Sequence, residues 1–150
     1  MPAEAAGAPS PDKLSLVIFS GAFDKVHYAL SMAAAALAIN KAATLFFTMG
    51  AIRALLPVAE GKGGWRNLLP TETGLDAAKA DAQLIARKLA GFEEMLAACV
   101  SLGARIMVCE MGLRAMGLEG AALRGDVPIT EGGLVTFLSD ASRDGALVFV

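Results

Sequence analysis

Short apolar runs alternate along this chain with longer segments whose apolar residues recur at helical spacing. "LSLVIF", residues 14–19, is continuous, β-branched and bounded by Ser20-Gly21. A run of that kind is expected of a strand buried on both faces. Asp24 then stands where a helix cap belongs, ahead of an alanine- and leucine-rich helix running to about Asn40. "ATLFFTM", 43–49, repeats the strand pattern; Gly50 breaks it, and a short helix to Leu56 follows before Pro57. Residues 58–74, "VAEGKGGWRNLLPTETG", carry four glycines and a proline and read as a long connection.

Residues 76–102 read as one helix, kinked near Gly91. Its second half places Phe92, Met95, Leu96, Cys99 and Val100 on one stripe, and Gly103 supplies a C-terminal stop. "ARIMVC", 104–109, is a third strand, and Glu110 to Gly117 a short helix. A fourth strand is expected at 127–130, a helix capped by Thr130 through about Ser142, and a fifth strand at 146–150. Five alternations of strand and helix predict an α/β fold, a parallel sheet with helices on both faces, because parallel neighbours need crossovers. Residues 1–13, rich in Ala and Pro, read as a disordered lead-in to one domain over 14–150.

Composition sharpens this. Of 150 residues 55% are hydrophobic and only 19% charged, so apolar surface is expected at a subunit contact as well as in a core. The net charge of -2 and the lack of any basic run exclude the footprint of a nucleic-acid binder. The longest apolar helix segment, 28–39, is too short for the roughly 20 residues of a membrane span. No secretory signal pattern opens the chain, which makes the cytoplasm and reduced thiols the expectation. There is no CxxC, no phosphate-binding glycine motif and no metal-ligand cluster, so neither metal nor organic cofactor is expected.

In such a sheet ligands gather beyond the carboxyl ends of the strands. Three loops meet there: Ser20, Gly21 and Asp24 with Lys25; Thr48 to Gly50; and Cys109 with Glu110 and Met111. Cys109 ends a strand and opens a helix, a position that stabilises a thiolate. The competing reading is a small buried hydrophobe. His27, the only histidine, is a candidate base if it reaches the thiol, and Lys25 a candidate counter-charge. Asp24 doubles as a helix cap and Lys25 as a solvated charge. Cys99, on an apolar stripe, reads as core. Met111, Met116 and Leu113 read as packing, and Trp65 as a lid or a loop anchor.

Three stretches together resemble the DsrE/DsrF-like family, in the subgroup sometimes labelled peroxiredoxin-like. They are "LSLVIFSGAFDKVHYALSMAAAA", "ATLFFTMGAIRALL" and the cysteine motif "VCEMGLRAMGL". The likeness implies a three-layer α/β/α sandwich around a mainly parallel five-stranded sheet. It implies a trimer or hexamer, and a sulfur-relay activity in which Cys109 carries sulfane sulfur as a persulfide between donor and acceptor proteins or small thiols. Where relatives carry an aromatic pair after Phe-Phe-Thr, this chain has Met49-Gly50-Ala51, which implies a roomier pocket. The alternative is an oligomeric binding or assembly module in which Cys109 is only structural.

Overall fold

The computed structural model describes residues 10–60 and 62–150. The expected lead-in lies outside the described residues up to residue 9. Within the described part of that segment, the Asp12 backbone N–H donates to the Asp144 carbonyl and its carboxylate accepts from Ser142 Oγ.

The strands are β1 (Lys13–Ile18), β2 (Ala42–Phe47), β3 (Arg105–Cys109), β4 (Ile129–Gly132) and β5 (Ala146–Phe149). They form one sheet in the order β4-β3-β2-β1-β5, and every pair is parallel. The helices are α1 (Phe23–Ala38), α2 (Ala77–Ala86), α3 (Phe92–Ser101), α4 (Glu110–Ala115) and α5 (Leu134–Asp140). No helix among the described residues is long and apolar enough to cross a membrane.

Strand order explains how the faces are covered. From β1 to β4 the chain steps in one direction across the sheet, so right-handed crossovers put the intervening helices on one face. There Leu16, Ile18, Leu45, Phe47, Ile106 and Val108 meet the apolar sides of α1 and α3. The step from β4 to β5 runs the other way, past three strands, so α5 falls on the opposite face. That face has a much smaller core: Val17, Phe46, Met107 and Cys109 from the sheet, and Phe137 from α5. Phe137 stacks on Phe46 at 4.7 Å between centroids. Asp140, at the end of α5, takes hydrogen bonds from Lys13 Nζ (2.7 Å) and Thr44 Oγ1 (2.6 Å) and pairs with Arg105, pinning the helix to three strands.

Several local expectations need correction. The 76–102 segment is two helices. Between them Lys88 has φ +65°, and the buried Asp81 carboxylate accepts the Phe92 N–H at 2.6 Å. Gly91 is required there, because a Cβ would sit 2.9 Å from Asp81 Oδ1. Asp24 does not cap α1; the cap position is Ala22, and Asp24 lies in the first turn. Thr130 caps nothing either: it lies inside β4, and Gly133 precedes α5. The short segment after β2 is a 3-10 helix, Met49–Leu55.

Candidate functional site

The carboxyl ends of β1, β2 and β3 bring the three expected loops to one rim. Gly21 and Gly50 touch there: a Cβ on either would lie 3.0–3.1 Å from the other's backbone. Their glycines therefore serve the close approach of two loops. The Ser20 N–H is spent on the Val150 carbonyl at 3.1 Å, and Ser20 Oγ accepts from Ala22 N. No anion cradle is left at Ser20.

Strand direction of travel reverses between β1 and β5, and ligand crevices in open α/β sheets form at such a point. The structure has a cavity of about 500 Å³ there, lined by Phe19, Ser20, Lys25, Phe149 and Val150. Phe19 and Phe149 form its aromatic wall, 5.4 Å between centroids. Ser20 and Lys25 of the expected site are thus brought together. Phe149 was not legible as a site residue, because only the strand order makes β5 a neighbour of β1.

Cys109 stands apart, at the end of β3, two strands and about 10 Å from β1. It is the cap residue of α4, and its Sγ accepts the Gly112 N–H at 3.4 Å. The expected accessible thiol is not what the fold presents. Cys109 is 1% exposed, because its side chain points to the face that α5 covers and packs with Val17, Phe46, Met107 and Phe137. Glu110 and Met111 are exposed beside it, Met111 at 55%, so Met111 does not pack α4 onto the sheet. Leu113 does, and Gly112 lies where a Cβ would meet Thr48 Oγ1 at 2.6 Å.

His27 does not serve Cys109. Its Nε2 donates to the Ala90 carbonyl at 2.9 Å, and its ring stacks on Phe23, on the α1 side of the sheet. Asp24 is also engaged elsewhere: Oδ1 accepts from Lys25 N and Oδ2 from Glu72 N, each at 3.1 Å. Cys99 is core, as expected. It is fully buried, its Sγ donates to the Leu30 carbonyl at 3.2 Å, and burial pushes its thiol pKa up to about 11. Trp65 is an anchor, buried against Phe23 and Phe92, with Nε1 donating to Glu93 Oε1 at 2.9 Å.

Sequence reasoning missed Arg124. Its side chain is 3% exposed and takes both carboxylates of the Glu93–Arg124–Asp126 cluster in bidentate fashion, with four contacts of 2.8–2.9 Å. The guanidinium holds the carboxyls of Glu93 and Asp126 below their usual range. This cluster ties the 118–128 connection to α3 and to the Trp65 loop. Among the described residues no group of three His, Cys, Asp or Glu side chains could hold a metal ion. No known family model matches the chain, and no curated protein matches it.

Proposed function

We propose that this chain is an oligomeric assembly module, and that a second copy covers the β5 edge of the sheet, which α5 leaves bare. One observation carries the reading. All-parallel sheets are found almost only with both faces covered, yet over the edge strand β5 this face is open, while Ser15 and Val17 of β1 beside it are buried. Leu147 and Phe149 are paired with Ser15 and Val17, and Phe149 is 65% exposed beside the half-exposed Phe19. On the same side α5 turns Leu134, Val135 and Leu138 to solvent. Together these six residues offer on the order of 600 Å² of apolar surface, at the upper limit for a free monomer. A standard interface buries about 800 Å² per partner, a little over half of it apolar, so the patch matches one.

The test is the solution mass. Light scattering should return a multiple of the 15.4 kDa chain, and Phe149→Glu should return the single chain with its circular dichroism unchanged. A wild-type protein that stays at 15.4 kDa at high concentration removes the reading.

A second reading is the DsrE/DsrF-like sulfur relay on Cys109, favoured by the Gly112 N–H at its sulfur and by a cover made of one side chain of one short helix. The burial of Cys109 ranks it second. In this reading the Cys109 thiolate attacks the outer sulfur of a donor R–S–SH. The donor S–S bond breaks, its electron pair leaves on R–S⁻, and Cys109–S–SH forms with no net oxidation. Weighing the protein after polysulfide treatment tests it. One added sulfur on wild type and none on Cys109→Ser supports the relay; no addition, or equal loading of the variant, rules it out.

A further inference from the structure

We propose that a second cleft, between α1, α2 and the 71–75 loop, binds a small carboxylate with an apolar body about the size of a phenyl ring. The cleft holds about 320 Å³, at the lower end of the range for small-molecule sites. Its floor is apolar, formed by Phe23, Leu75, Ala80 and Leu84. Polar groups rim it, among them Tyr28, Gln83 and Arg87.

The cleft is built before any ligand arrives. Thr71 Oγ1 accepts from Leu75 N at 3.1 Å, and Thr71 N donates to the Leu75 carbonyl at 2.8 Å, closing the loop on itself. Gly74, at φ +90°, makes the turn. Asp24 fastens the loop to α1 through Glu72 N, and His27 is held by Ala90. A preorganised wall lowers the entropy cost of binding.

Charge sets the ligand class. Two lining groups carry full charge, Asp24 and Arg87. Both Asp24 oxygens already accept backbone N–H groups. Arg87 has no ion-pair or side-chain hydrogen-bond partner among the described residues, and its planar fork suits a carboxylate. The site lies on the α1 face, so it stands whether or not Cys109 carries sulfur.

Benzoate is the probe, titrated into the full chain with amide NMR as the readout and benzamide as the uncharged control. Benzoate should shift the amides of Leu75, Ala80, Leu84 and Arg87 saturably, with a roughly millimolar Kd fit for so small a ligand. Benzamide should bind about tenfold more weakly, and Arg87→Gln should weaken benzoate by a similar factor. Leu84→Trp, which fills the floor, should remove binding while the rest of the spectrum persists. The proposal is overturned if benzoate gives no saturable shift at these amides, binds no tighter than benzamide, or is indifferent to Arg87→Gln.

Discussion

Replacing Glu93 with leucine is expected to lower stability by about 3 kcal/mol, whereas Arg124→Met should cost no more than about 1 kcal/mol. The asymmetry follows from where the charges sit. The Arg124 side chain is 3% exposed, while those of Glu93 and Asp126 are 49% and 59% exposed. Removing Glu93 leaves a buried guanidinium with one carboxylate and deprives the buried Trp65 Nε1–H of its acceptor. Removing Arg124 returns two carboxylates to water, and methionine refills much of the volume. Urea unfolding of the two variants checks this, and equal losses would refute it. The pH dependence has a definite sign. Both carboxyls have folded pKa values depressed from 4.5 and 3.8, so their contribution is fully present above those values. It is lost as pH falls through the folded values. The stability advantage of wild type over Arg124→Met should therefore shrink in acid, and a gap that widened there would contradict the assignment.

The cluster also shows what a sequence can carry. β1, β2 and β3 were legible because a strand buried on both faces is apolar at most positions, with only Ser15 and Thr44 as buried polar residues in β1 and β2. The Cys99 stripe was legible because one helix face meets one core. The break between α2 and α3 was not, since it depends on Asp81 reaching the Phe92 N–H, a contact between side chain and backbone eleven residues apart. Cys109 was placed at the right strand end, but its exposure was beyond reach. That depends on which face α5 takes, and so on β5 pairing with β1 instead of β4. The Arg87 cleft was invisible for a similar reason: α1, the 71–75 loop and α2 meet only in the fold.

Truncating Phe137 to alanine should speed the alkylation of Cys109 by about a hundredfold or more. Phe137 is the one helix residue in the cluster around that thiol, and it stacks on Phe46. Its loss costs about 3–5 kcal/mol, and each 1.4 kcal/mol of easier opening is tenfold in rate. Acceleration alone does not say what opens, because unfolding of the whole chain breaks the same contacts. The two cysteines resolve this, since they lie in different cores. Cys99 sits with Leu30 and Phe92 under α1 and α3, and Cys109 sits under α5. Phe92→Ala weakens only the first core. If α5, a helix of seven residues, lifts as a local unit, Phe92→Ala should accelerate Cys99 and leave Cys109 unchanged. In wild type Cys109 should then also be the faster of the two. Should Phe92→Ala speed both thiols alike, Cys109 is reached only by global unfolding. A sulfur donor would then have no route to it in the folded chain, and the thiol would be packing alone.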